Sequence, residues 1–297
     1  MKSGYVIIDK GLNMTSQTVV TRVKRLFGAD KAGHTGTLDP MATGVLPVLL
    51  GRAVKASEFM LSSTKHYVAT LRLGLTSDTE DVFGTVTGTG APIPGEAEVY
   101  AAIDSFVGEI DQIPPMVSAL KVGGKKLCDL SRQGIVIERQ PRKITVYSIG
   151  KSRISDTDYM LDVVCSGGTY IRTLCADIGN KLGCGGVMAS LRRAGACGFS
   201  LAEAHTLEEI EAMTEEEREA LIRPVETVFS SWEKIELPPF FARLARCGVE
   251  IYQKKIGTSL PLGTRVTLYE SGKFFALGEV REFDAGTAIK PIRQFDV

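Results

Sequence analysis

The sequence holds very little from which to build a metal centre or a disulfide framework. Its six cysteines, Cys128, Cys165, Cys175, Cys184, Cys197 and Cys247, form no CxxC pair. The three histidines, His34, His66 and His205, have no partner at metal-ligand spacing. A zinc site is therefore not expected, and the cysteines are expected to be reduced thiols of a cytoplasmic protein. No apolar run approaches the roughly 18 residues of a membrane span. The opening stretch "MKSGYVIIDKGLNMTS" turns polar at Asp9, too soon for a signal peptide. Walker and Rossmann glycine patterns are missing, so no nucleotide cofactor has a visible site. Net charge is missing too: 35 basic residues balance 35 acidic ones, which argues against a uniformly basic nucleic-acid binder.

What is present suits a globular chain. With 297 residues, 44% hydrophobic and 24% charged, it is long enough for a large core and two domains. Charge is unevenly spread. "EAHTLEEIEAMTEEERE" (203–219) concentrates glutamate, most simply on one solvated helical face, and leaves the remainder basic. Basic clusters occur at "KRLFGADK" (24–31), "KVGGKK" (121–126), "RQPRK" (139–143) and "LRR" (191–193). Each is an ordinary wet surface or a phosphate contact.

Periodicity predicts strands at "YVIID" (5–9), "HYVATLRLG" (66–74), "DVFGTVTGTG" (81–90), "KITVYSIG" (143–150) and the start of "YMLDVVCSGGTYIRTL" (159–174). Helices are expected in "SQTVVTRVKRLFG", with Ser16 as N-cap, in "EVYAAIDSFVG", and in "IRTLCADIGNKLG", ended by Gly183. Between Gln112 and Lys143 the chain changes character: prolines, then a short basic helix between glycines, as in an insertion standing off the main sheet. Pro238-Pro239 marks a linker to a β-rich tail of about 60 residues, with a hairpin turn at Glu270-Ser271-Gly272-Lys273. Strands and helices mix without a regular βαβ beat, which predicts an α+β fold.

One carboxylate stands apart. In "GHTGTLDPMATGVLP" (33–47), Asp39 precedes Pro40, so its backbone is biased toward extended or turn geometry. Three glycines keep a single helix from covering the segment. Asp39 is either a turn former or a working group.

Several stretches, taken in order, bear on that choice. "AGHTGTLDPMATGVLPVLLGRAVK", "KHYVATLRLGLTSDTEDVFG", "PPMVSALKVGGKKLCDLSRQG" and "CSGGTYIRTLCADIGNKLGCGGVMASLRR" resemble successive motifs of the TruB family of bacterial tRNA pseudouridine synthases. The resemblance covers nearly the whole chain. It departs near the N-terminus, where the family's DKPxGxTS pattern has Gly11 and Asn13 in place of proline and glycine. Asn tolerates left-handed backbone, so the turn is expected to survive.

The resemblance implies a catalytic domain (1–234) around a mixed sheet, an RNA-contacting insertion (about 112–143), and a small PUA-like domain (235–297). It implies isomerisation of uridine to pseudouridine at position 55 of the tRNA T-loop, by a monomer, without cofactor or metal. Asp39 is then the nucleophile and Arg172 the cation paired with it. Tyr67 stacks on the target base and is a candidate acid or base. His34 fills the space left by a flipped-out uridine, and Tyr170 and Leu191 line the uracil pocket. Lys121, Lys125, Lys126 and Arg132 are expected on phosphate, raising affinity without choosing the site. The tRNA is expected to be gripped at its T-arm and, through the C-terminal domain, at its acceptor end.

Overall fold

A computed structural model describes residues 2–61, 63–118 and 120–295. In chain order the first strands are β1 (Gly4–Lys10), β2 (Ala32–His34), β3 (Thr43–Leu50) and β4 (Lys65–Leu73). Two small hairpins follow, β5 (Leu75–Ser77) with β6 (Val86–Gly88), and β8 (Lys121–Val122) with β9 (Lys125–Lys126), on either side of β7 (Gly108–Gln112). Then come β10 (Arg142–Arg153), β11 (Asp158–Cys165), β12 (Gly186–Ala196) and β13 (Phe199–Ser200). The central sheet runs β1-β3-β12-β4-β11-β10-β7, with β2 added to β3 and β13 to β12. Its β3–β12 pair is parallel and its other pairs are antiparallel, so the sheet is mixed.

Helices α1 (Ser16–Leu26), α2 (Ser57–Leu61), α3 (Glu96–Asp104), α4 (Leu127–Arg132) and α5 (Ile171–Leu182) accompany these strands. Val19 and Val23 of α1, Ile103 of α3 and Leu174 and Ile178 of α5 share one core with Val48, Leu71, Leu161 and Met188 of the sheet. Buried apolar side chains at helical spacing thus meet alternate positions of the strands, the pairing that hydrophobic burial favours. Helix α5 lies so close to the start of β12 that a Cβ on Gly179 would overlap the backbone of Gly186.

The C-terminal strands are β14 (Glu233–Glu236), β15 (Ile251–Tyr252), β16 (Arg265–Glu270), β17 (Lys273–Phe283) and β18 (Gly286–Gln294), ordered β14-β16-β17-β18-β15. This is the β-rich module expected from the sequence. Its hairpin turns as expected, with Ser271 and Gly272 both at positive φ (50° and 74°), the geometry of a two-residue hairpin loop.

Three local expectations are corrected. Thr15, not Ser16, caps α1: its hydroxyl accepts from the Thr18 N–H, while Ser16 is turned inward to the Asp39 loop. The acidic stretch makes two helices, α6 (Leu207–Ala212) and α7 (Glu215–Ala220), because Thr206 and Thr214 each set up a capping box and restart the chain. Pro238-Pro239 is no free linker, since Pro238 is the N-cap and Pro239 the first residue of α8 (Pro239–Arg246), where a missing N–H costs nothing. The C-terminal sheet is instead sewn to the rest. Phe274, Leu277, Ile292 and Phe295 join Phe59, Met60, Phe229 and Trp232 in a second core beneath β1 and β3.

Candidate active site

Asp39 sits on the loop between β2 and β3, and several of that loop's backbone polar groups are held from other elements. The Ser16 hydroxyl donates to the Leu38 carbonyl (3.0 Å) and accepts from the Leu38 N–H (2.8 Å). Lys10, buried at the end of β1, donates to the carbonyls of Gly11, Pro40 and Ala42 at 2.9, 3.2 and 2.6 Å. Pro40 O also accepts from the Asn13 N–H at 2.9 Å, and Asn13 takes the left-handed backbone (φ 59°) that its substitution for glycine required. Burial pulls the Lys10 ammonium down to about 8, with the nearby Asp39 carboxylate opposing the shift. From β12, the buried Arg193 donates to the carbonyls of Gly36 (3.2 Å) and Val45 (2.7 Å), stapling both shoulders of the loop.

The cation beside Asp39 is Arg172, in the first turn of α5. Its Nε lies 2.9 Å from Asp39 Oδ2, and its Nη2 is 3.5 Å from Oδ1. Two further guanidinium hydrogens go to the carbonyls of Thr79 (3.0 Å) and Val117 (2.7 Å). A second acid, the buried Asp81, stands 3.9 Å from the same Nε. A lone arginine at a helix start is usually exposed; this one is 4% exposed, whereas the Asp39 side chain keeps 34% of its surface. The carboxylate is therefore paired with a buried guanidinium and still reachable.

Asp39 faces a cavity of about 430 Å³ whose walls include Leu38, Tyr67, Ser118, Tyr170, Leu191 and Arg193. Tyr67 stands on β4 across from Arg193, and Leu191 across from Ala69. Bulges on either side of Leu191–Arg193 re-aim these side chains out of the ordinary pleat. Tyr170 caps α5, and Gln112 clasps its backbone from both sides: its amide donates to Tyr170 O (3.0 Å) and accepts from Tyr170 N (2.8 Å). Burial pushes both phenols above the ordinary tyrosine range; Arg193 opposes this at Tyr67. Tyr67 is thus a protonated donor in this resting site and a poor base. Lys65, buried at the cavity's edge, is lowered by its burial and bonds Ser63 O at 3.0 Å.

The cavity thus gathers Asp39, Arg172, Tyr67, Tyr170 and Leu191. His34 stands beside the loop and outside the cavity wall, with Nδ1 accepting from the Gly36 N–H at 3.2 Å. Burial, then Arg193, lowers its pKa, so the ring is neutral. Lys125 is exposed on the β8–β9 hairpin, and Arg132 pairs with Asp129 on α4 at 3.5 Å. The side chains of Lys121 and Lys126 lie outside the described residues. Sequence reasoning missed Lys10, Asp81, Ser118 and Arg193. Lys10 was visible only as a charge at the end of an apolar strand, Arg193 stood in the basic cluster "LRR" expected as a wet surface or phosphate contact but is buried, and Asp81 and Ser118 carried no local signal. Chemically the site offers a carboxylate nucleophile or base, clamped by a guanidinium, beside a cavity whose walls mix aromatic and aliphatic side chains with polar ones.

Comparison with known proteins agrees with that chemistry. Residues 24–171 match the TruB family pseudouridylate synthase N-terminal domain, and residues 172–230 match the tRNA pseudouridylate synthase B C-terminal domain. The chain is 40% identical over 281 residues to a tRNA pseudouridine synthase B of Neisseria meningitidis, covering 94% of this chain and 91% of that one. To that of Clostridium tetani it is 42% identical over 278 residues, covering 93% and 95%. Among solved structures it resembles a chain of a Cbf5–Nop10–Gar1 complex, with TM-score 0.75 and 27% identity over 98% of this chain and 84% of that one. A chain of an H/ACA ribonucleoprotein bound to a substrate RNA gives 0.71 and 25%, covering 99% and 85%.

Proposed function

The chain belongs to the TruB family of pseudouridylate synthases, and from that premise we propose that it converts uridine to pseudouridine at position 55 in the T-loop of tRNA, with Asp39 as nucleophile. The observation that carries this reading is the guanidinium-held carboxylate facing a slot with two tyrosines. The isomerisation breaks the N1–C1′ bond, rotates the uracil, and joins C5 to C1′; a proton leaves C5 and another is taken up at N1. Asp39 bonds transiently to the ribose or the base and is regenerated. Arg172 holds the carboxylate in place throughout. A uridine within a folded loop must first be extruded. His34, beside the slot, fills the vacated space, and Tyr67 stacks on the base, a contact worth roughly 1–3 kcal/mol.

The exposed basic groups of the insertion hold the T-arm phosphates, and the C-terminal sheet acts as a PUA-like domain on the acceptor end. The enzyme works as a cytoplasmic monomer, without metal or cofactor. The test is to incubate the purified protein with unmodified tRNA transcripts and map pseudouridine. One modified site, at position 55, is expected, lost when that uridine is replaced by cytidine. Modification confined to another stem-loop would overturn the assignment of substrate while leaving the reaction intact.

A further inference from the structure

Ser118 is a cavity residue whose chemistry the nucleophile, its cation and the stacking tyrosine leave unused. It is 7% exposed, and its hydroxyl has no hydrogen-bond partner among the described residues. Buried hydroxyls are nearly always paired, so an orphan on the wall of a binding slot calls for a partner that arrives with the ligand. The Tyr170 phenol is close enough for this hydroxyl to offset part of its burial-driven pKa rise, yet the two do not meet in hydrogen-bonding geometry.

The segment carrying Ser118 is fixed from both ends of the site. The neighbouring Val117 gives its carbonyl to Arg172 at 2.7 Å, the Ser118 N–H bonds Met116 O at 3.0 Å, and Gln112 upstream holds the Tyr170 backbone. The hydroxyl is thus placed by the same groups that place the cation of the nucleophile.

Building on the function proposed above, we propose that Ser118 is a base-recognition residue whose hydroxyl donates to a ring carbonyl of the target uracil. The symmetry of the reaction makes one donor sufficient. Turning uracil by half a revolution about its N3–C6 axis exchanges N1 with C5 and, with them, O2 with O4. A donor that meets one carbonyl before the rotation meets the other after it. Ser118 therefore holds substrate and product in the same plane while the glycosidic position changes.

The experiment compares wild type with Ser118→Ala on stem-loops carrying uridine, 2-thiouridine or 4-thiouridine at the target, alongside thermal melting of both proteins. Sulfur is a weaker acceptor than oxygen. Ser118→Ala is expected to lower kcat/KM for uridine about 3- to 10-fold, the range for one neutral hydrogen bond. Its Tm is expected to be unchanged or higher, because an unpaired buried hydroxyl has been removed. Thio substitution is expected to slow wild type and to have little further effect on the variant. An unchanged kcat/KM, thio and Ser118→Ala effects that multiply independently, or a fall in Tm alongside activity would each overturn the proposal. Failure of wild type itself to modify the uridine stem-loop would instead sink the function on which the proposal rests.

Discussion

The Asp39 loop and the insertion between β7 and β10 differ in how their polar groups are satisfied. In the loop, the carbonyls of Gly36, Leu38, Asp39, Pro40 and Ala42 each accept a hydrogen bond, several from buried side chains on other elements. Among its described residues the insertion forms two two-residue strands and one six-residue helix. It leaves Val122, Ile135 and Val136 exposed, and its Arg132 turns to Asp129 on its own helix. Its ends are better fixed: Arg139 donates to Pro114 O at 3.0 Å, and Val117 reaches Arg172. Chemistry needs groups already in place when charge develops. A surface that meets a long, charged partner gains from adjusting to it, and sparse local contacts permit that.

If the loop is the rigid half, damage there should stop the reaction and spare binding. Asp39→Asn is nearly isosteric and is no nucleophile; it should cut pseudouridine formation by about 10⁴-fold or more while tRNA binding stays within a few-fold. Turnover by a preparation free of wild-type enzyme would remove Asp39 from the centre of the comparison. Arg172→Lys should come next, with kcat down by roughly 10²-fold and a lower Tm. A lysine ammonium cannot serve Asp39, Thr79 and Val117 in the planar pattern the guanidinium uses. Activity assays paired with melting curves check both effects.

The insertion should behave oppositely. Replacing Lys125 and Arg132 with glutamine should reduce the log–log salt slope of tRNA binding by about 0.7–0.9 for each phosphate that is no longer neutralised, with saturating kcat changed less than about two-fold. An unchanged slope would show that these side chains touch no phosphate. The smallest effect expected comes from Lys10. Its folded pKa is about 8 against an ordinary 10.5, so between those values the unfolded chain binds more protons. Through this group, stability rises with pH across that window. The loop meanwhile loses a donor, so kcat should decline a few-fold as pH passes 8, without a matching loss of Tm. Lys10→Met should lack that alkaline limb. A limb that survives the substitution belongs to another depressed amine, with Lys65 the first candidate.

Much of the fold was legible because periodicity and burial agree: β4 alternates and α5 ends at a left-handed Gly183, as their residues require. Asp39, Arg172, Tyr67, Tyr170 and Leu191 emerged through motif resemblance, since nothing local separates Tyr170 or Leu191 from core. The groups that support them were hidden for a physical reason. Lys10 and Arg193 act on carbonyls far away in the chain, and Asp81 reaches Arg172 across the fold, so no spacing rule links them. Pro238-Pro239 misled because proline opens helices as readily as it stiffens linkers. The seam of Phe59, Phe229, Trp232, Phe274 and Phe295 that joins the two sheets depends on tertiary contact and left no local mark.

The close approach of Gly179 to Gly186 gives α5 the mechanics of a lever. Its fulcrum is that backbone contact, and Arg172 rides on the far arm, about two turns of helix away. A methyl group added at Gly179 has no flexible neighbour to displace, so the rod must tilt or slide. Either motion carries the guanidinium away from the carboxylate. A buried position outside the cavity wall is thereby constrained: a single added carbon there would register as a lesion of the reaction.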